Sequence, residues 1–156
     1  MKTNVVFDAL LVVSCSYALW RGGGPERAIA AVFVAGVAAS HFALTVDDAK
    51  RFSSVESGVA IVDCVAIGVL VLIALVADRF WTIGFAGAQL LGTAGHLLKF
   101  ADPHVTRWGY AFAIAFVSYP MIALLVIGTF NHRRRLKRFG HDRSWSWQPP
   151  GSPSAG

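Results

Sequence analysis

Residues 58–77, GVAIVDCVAIGVLVLIALVA, decide how this chain folds, because they form a twenty-residue apolar run with one charge, Asp63. A bilayer core of about 30 Å needs about 20 apolar residues at a helical rise of about 1.5 Å each. Only Asp78-Arg79 separates this run from the next apolar run, which begins at Phe80. Two such runs with so short a connection predict a tight helical hairpin that crosses a membrane twice.

The composition of the whole chain agrees with that prediction. Its 156 residues are 55% hydrophobic and 15% charged, with a mean hydropathy of +0.56. An ordinary soluble domain is about 45–50% apolar and about 25% charged. A disordered chain needs low hydrophobicity and high charge, and two cysteines cannot hold a disulfide scaffold of this length. A small multi-pass membrane protein is the class that remains.

Five apolar stretches approach the length of a membrane span, so the sequence predicts an all-α, polytopic membrane helical bundle in residues 1–130. Ser53-Ser54-Val55-Glu56 reads as a capping box at the start of the third helix. Residues 131–156 are expected to form a basic juxtamembrane segment and a disordered tail, with disorder from Ser144 onward. The five transmembrane helices are predicted at about 4–20, 27–46, 57–77, 80–100 and 107–130.

Lysine and arginine set the orientation of such a bundle, since they are enriched on the cytoplasmic side. One side would hold five of them: Lys2, Lys50, Arg51, Lys99 and Arg107. The other side would hold nine: Arg21, Arg27, Arg79, Arg133, Arg134, Arg135, Lys137, Arg138 and Arg143. The sequence therefore predicts an N-terminus outside and a C-terminus in the cytoplasm.

A different topology starts from Val12-Val13-Ser14-Cys15, which resembles a lipoprotein cleavage box. Cleavage there would leave four spans and a lipidated Cys15 outside. It would also place the basic tail outside, against the positive-inside rule. Asp8 interrupts the apolar run that a signal peptide requires. Five spans are favoured, and lipidation of Cys15 stays an open question.

Four ionisable residues form the candidate site. Asp8, His41, Asp63 and His96 fall in four different predicted spans, about 6–10 Å from the outer ends at helical rise. Ionisable groups inside a membrane usually face the bundle interior and find partners. Interhelical hydrogen bonds between these acids and imidazoles are the first interpretation.

Several ligands are alternatives for the same layer. Proton or small-molecule binding, including a quinone, is one of them. A metal could be held by His41, His96, Asp8 and Asp63, because imidazole and carboxylate suit zinc or iron. Haem could be held by His41 and His96 as axial ligands. The sequence has no His-x-x-His or Glu-x-x-His spacing that would single out a metal.

No catalytic residue is predicted, because the chain has no phosphate loop, dinucleotide fingerprint, nucleophile elbow or zincin helix. We expect a non-catalytic accessory or scaffold subunit that binds no cofactor, and the alternative is an intramembrane binding protein for proton, metal, haem or quinone. The basic tail predicts attachment to anionic lipid headgroups rather than to nucleic acid. Small-residue helix faces allow contact with other membrane proteins or self-association.

Six short segments have a recognisable pattern: Trp20–Arg27, Ser54-Val55-Glu56 to Asp63, Asp78-Arg79-Phe80-Trp81, Gly95–Lys99, Ser118-Tyr119-Pro120 and Asp142–Ser146. Together they resemble small multi-pass inner-membrane proteins of alphaproteobacteria. That resemblance implies a bacterial inner membrane location and carries no assigned activity or site residue.

Overall fold

The computed structural model describes residues 5–43, 57–101 and 107–147, without the side chains of residues 41, 43, 57, 96–101 and 107–115. Within these ranges the chain folds into five helices and no β-strand, which confirms the predicted all-α helical bundle. The helices are α1 (Val5–Arg21), α2 (Gly24–Ala43), α3 (Ser57–Val76), α4 (Phe80–Ala101) and α5 (Arg107–Phe139). The capping box predicted at residues 53–56 lies outside the described residues.

The hairpin predicted around Asp78-Arg79 is present, since α3 ends at Val76 and α4 begins at Phe80. Consecutive helices pack side by side, and α5 closes the ring by packing against α1. The last helix differs from the prediction in length, because it continues nine residues past position 130, through most of the basic run. One α-helix therefore joins the apolar bundle to the charged end of the chain.

The bundle core is centred on Phe85 of α4, whose side chain is fully buried. Its ring makes edge-to-face contacts with Phe33 of α2 and Trp81 of α4, with ring centroids 5.5 Å and 6.4 Å apart. Such pairs add about 0.5–1.5 kcal/mol beyond the area that they bury. Cys15 is buried in the middle of α1 as a free thiol, where it acts as a small packing residue.

One described helix segment, Gly58–Val76 in α3, is long and apolar enough to cross a membrane by its length and composition. Its mean hydropathy is 3.0, and only 6% of it is buried inside the chain. A core helix of a soluble protein would be buried on most of its faces. Helix α3 is therefore a strongly apolar helix that the rest of the described chain leaves largely uncovered.

Close packing between α4 and α5 depends on Gly128, because a Cβ there would lie 2.4 Å from Cε2 of Trp81. We expect Gly128→Ala to lower the free energy of unfolding by about 1–3 kcal/mol, the usual cost of overpacking. The matched control is Gly36→Ala on α2, where a Cβ meets nothing within 4 Å. Denaturant titration in detergent, followed by circular dichroism, measures both variants, and equal stabilities would contradict the packing described.

Candidate functional site

The four residues singled out in the sequence are only partly defined by the structure. Asp8 lies half-buried in the first turn of α1. Asp63 is half-buried on α3, and its Oδ1 accepts a hydrogen bond from Nε2 of Gln89 on α4 at 3.2 Å. His41 and His96 lie in α2 and α4, but their side chains are outside the described part of the chain.

The predicted use of this layer as a ligand site therefore stays a prediction. Gln89 joins Asp63 to α4, so an interhelical hydrogen bond of the expected kind exists, although with an amide as the donor. Among the described residues, no group of three or more histidine, cysteine or acidic side chains could hold a metal ion.

A second polar site, which was not predicted from the sequence, lies at the opposite ends of the helices. Asp142, in the segment after α5, is buried together with side chains from three other segments. We call this group the Asp142 cluster. Its members are Glu26 in the first turn of α2, Arg79 between α3 and α4, His132 and Arg135 on α5, and Asp142 itself.

The Asp142 carboxylate accepts hydrogen bonds from three side chains. Its Oδ2 lies 2.6 Å from Nη2 of Arg79 and 2.5 Å from Nδ1 of His132. Its Oδ1 accepts from Nε of Arg135 at 2.9 Å. Charge-assisted hydrogen bonds are roughly twice as strong as neutral ones, so this carboxylate is a strong junction between α5 and the α3–α4 turn.

Arg79 connects the junction to the α1–α2 turn. Its side chain is 7% exposed, and its Nε lies 3.8 Å from Oε1 of the fully buried Glu26. The guanidinium also donates from Nη1 to the carbonyl of Asp78 at 2.9 Å. Among the described residues, Nε of Arg79 and both carboxylate oxygens of Glu26 are buried without a hydrogen-bond partner. The contact with Glu26 is therefore a charge–charge contact only, and the hydrogen bond to Asp142 offsets most of the cost of removing the guanidinium from water.

These surroundings shift two pKa values. Burial alone would raise the pKa of Asp142, but hydrogen bonds from His132 and Arg135 and the charge of Arg79 hold it below its ordinary value. Burial lowers the pKa of the Arg79 guanidinium, while Asp142 and Glu26 oppose that shift. Asp142 is therefore ionised at neutral pH and serves as the negative centre of the cluster.

The glycine turn between α1 and α2 allows the rings beside the cluster to pack closely on the backbone. A Cβ on Gly23 would lie 2.7 Å from Cε1 of His132, and one on Gly24 would lie 2.5 Å from Nε1 of Trp145. Real Cβ atoms do not approach other atoms so closely, because the interior is already close-packed. The small residues of this turn are thus explained by the rings that pack on it.

The chain reverses after α5 at Gly140, whose φ of +74° lies in the left-handed region that glycine adopts at little cost. It then pairs with the α3–α4 turn. The Asp78 N–H donates to the Ser144 carbonyl at 3.3 Å, and the Ser146 N–H donates to the Val76 carbonyl at 2.9 Å. These bonds form a short antiparallel bridge beside the cluster.

The expectation of disorder from Ser144 onward is therefore wrong for residues 144–147, and residues 148–156 lie outside the described part. Trp145 stacks on Trp147 with ring centroids 5.1 Å apart. Composition suggested disorder because the segment is polar and rich in small residues. Composition did not indicate that residues 144–147 are ordered, because their order depends on hydrogen bonds to a turn more than sixty residues earlier in the chain.

The contacts of the Asp142 cluster hold separate segments of the chain together. A general base needs a free lone pair directed at a substrate. The Asp142 carboxylate instead accepts from two side chains of α5 and from Arg79 in the α3–α4 turn, which fixes the end of α5 against that turn. Three chain segments meet at this point, residues 20–27, 78–81 and 142–146.

Comparison with known proteins adds no relative: no family model, curated protein or solved structure matches the chain.

Replacing Asp142 with asparagine should destabilise the fold strongly, because Asp142→Asn leaves buried Arg79 without its closest counter-charge. Breaking a buried ion pair by removing one partner costs about 3–5 kcal/mol. The control is Asp78→Asn, which removes the partner of Arg143 from a pair whose side chains are 47% and 36% exposed. Exposed pairs contribute about 0–1 kcal/mol, so unfolding free energies of the two variants should differ clearly, and equal losses would argue against the cluster.

Protonation of Asp142 at low pH should release the segment after α5 from the α3–α4 turn. A carboxylate with a lowered pKa stabilises the fold fully above its unfolded pKa of about 3.9, and this contribution disappears as pH falls through the lower folded value. We expect the near-ultraviolet circular dichroism of the Trp145–Trp147 pair to be constant from neutral pH to about pH 4 and to decline below it. Asp142→Asn should lack this transition, and an unchanged transition in that variant would assign it to another group.

Proposed function

We propose that this chain is a non-catalytic integral membrane protein of the bacterial inner membrane, crossing the bilayer five times and acting as an accessory or scaffold subunit. The observation that carries the proposal is the apolar surface of the helices. Large apolar side chains are exposed on α1, α3, α4 and α5, with Leu75 at 74% and Leu72 at 64% on α3. Soluble monomers rarely expose contiguous apolar patches beyond a few hundred Å².

The lengths of the helices are compatible with five crossings. Helices α2, α3 and α4 contain 20, 20 and 22 residues, and α5 contains 33. Helix α1 contains 17, at the lower limit for a span. At about 1.5 Å per residue, α5 exceeds a bilayer core by about 20 Å, so its basic end would extend into water.

The Asp142 cluster supports an odd number of crossings. It joins the α1–α2 turn, the α3–α4 turn and the segment after α5, so these three must share one side of the membrane. That side carries most of the basic residues and is cytoplasmic under the positive-inside rule. The N-terminus then lies outside, as the sequence suggests.

The end of α5 is the proposed contact with anionic lipid headgroups. Arg134, Lys137 and Arg138 are exposed there, and each basic residue near an anionic surface contributes about 1 kcal/mol. Trp20 is exposed at the cluster end of α1, with the Arg21 guanidinium 4.4 Å from its ring centroid. An aromatic residue beside a cation is typical of the level where bilayer meets water.

Topology is tested by fusing reporters to the C-terminus. A fluorescent protein fused there should fluoresce, and alkaline phosphatase fused there should be inactive, because the proposal places the C-terminus in the cytoplasm. The same reporters fused after residue 50 should give the opposite pattern. Active C-terminal phosphatase would contradict the orientation.

Absence of a cofactor is tested on protein purified in mild detergent. We expect no visible absorbance band and no stoichiometric metal. An absorbance band or bound metal that is lost in His41→Ala or His96→Ala would overturn the accessory role in favour of a binding protein. Gln89→Ala is the control, since it changes the same layer without removing an imidazole.

A further inference from the structure

An open apolar groove runs along the outside of the bundle between α3 and α4, with a volume of about 640 Å³. Its lining is aliphatic apart from the thiol of Cys64. Gly68 on α3 and Gly87 on α4 form its walls, and a Cβ on either would meet nothing within 4 Å. The two glycines thus leave space that the described residues do not fill.

The dimensions of the groove match one leaflet of a bilayer. On α3 its lining extends from Cys64 to Leu75, which is about 16 Å at helical rise. Half of a bilayer core of about 30 Å is about 15 Å. Leu75 and Ile83 lie at the end of the groove that leads to the α3–α4 turn, and Asp78 lies in that turn.

The Asp78–Arg143 ion pair lies at this end of the groove. Arg143 donates from both Nε and Nη2 to the same oxygen of Asp78, Oδ2, at 2.9 Å and 2.6 Å. Within the described part of the chain, Oδ1 of Asp78 and Nη1 of Arg143 have no hydrogen-bond partner. One free acceptor and one free donor, both on side chains open to solvent, complement a headgroup that carries an ammonium and a phosphate.

We infer that the α3–α4 groove binds one zwitterionic phospholipid of the phosphatidylethanolamine type. One acyl chain occupies the groove, the headgroup phosphate accepts from Arg143, and the ammonium donates to Asp78. This inference rests on the proposed membrane location. It differs from the attraction of the basic tail for anionic lipid, because it requires a shaped apolar site and both signs of charge.

The test is native mass spectrometry of the full chain after reconstitution with equal amounts of phosphatidylethanolamine and phosphatidylglycerol of identical acyl chains. We expect one retained phosphatidylethanolamine, at least fivefold over phosphatidylglycerol. Gly87→Leu should reduce retention at least fivefold by filling the groove, and Gly68→Leu should do the same from the other wall. The control is Gly36→Leu, on α2 and away from the groove, which should retain lipid like the unaltered chain.

The headgroup contact is tested separately. Asp78→Asn should abolish the preference for phosphatidylethanolamine while leaving one lipid bound. Two results would overturn the inference, because each would mean that only annular lipid is bound. One is that the unaltered chain retains lipid without a headgroup preference. The other is that both groove variants retain lipid like the unaltered chain.

Cross-linking through Cys64 tests whether a second copy of the chain occupies the groove. A short bis-maleimide that joins two chains through Cys64 in nanodiscs would show a second copy seated in the groove and would also overturn the inference. Failure of the chain to integrate into nanodiscs would instead contradict the proposed membrane location.

Discussion

Everything at the charged end of this molecule depends on one buried carboxylate. Asp142 accepts from Arg79, His132 and Arg135, and Arg79 in turn lies beside Glu26. Helix ends in a bundle are otherwise joined only by short turns, which leave their relative heights weakly fixed. A carboxylate shared by α5 and the α3–α4 turn, and linked to the α1–α2 turn, sets these heights because each donor must reach the same group.

This cluster also connects packing with topology. The buried charges of Arg79 and Asp142 are tolerable inside the protein because they are hydrogen-bonded to each other, and removing either one leaves the other unpaired in a low dielectric. The bundle thereby commits three segments to one side of the proposed membrane. The apolar flanks, above all α3, remain available for lipid or for other helices, which is the property expected of an accessory subunit.

The sequence predicted those parts of the structure that depend on local pattern. Apolar length located the helices, and Asp78-Arg79 located the hairpin, because both signals act over neighbouring residues. It did not predict the Asp142 cluster, since Glu26, Arg79 and Asp142 are far apart in the chain and each looks like an ordinary turn or tail residue. The single acid within a strongly basic tail, and the three successive glycines at positions 22–24, were the available signals. The Asp63–Gln89 bond involves an acid that the sequence had indicated, and its donor is an amide.

Amide hydrogen exchange in nanodiscs, resolved by NMR, tests the central claim most directly. The N–H groups of Asp78 and Ser146 hold the tail against the α3–α4 turn, so both should be strongly protected. Asp142→Asn should remove the protection of both while the core amides of α4 stay protected. Fast exchange at these two positions in the unaltered chain would contradict the account, because the tail would then not be held by the cluster.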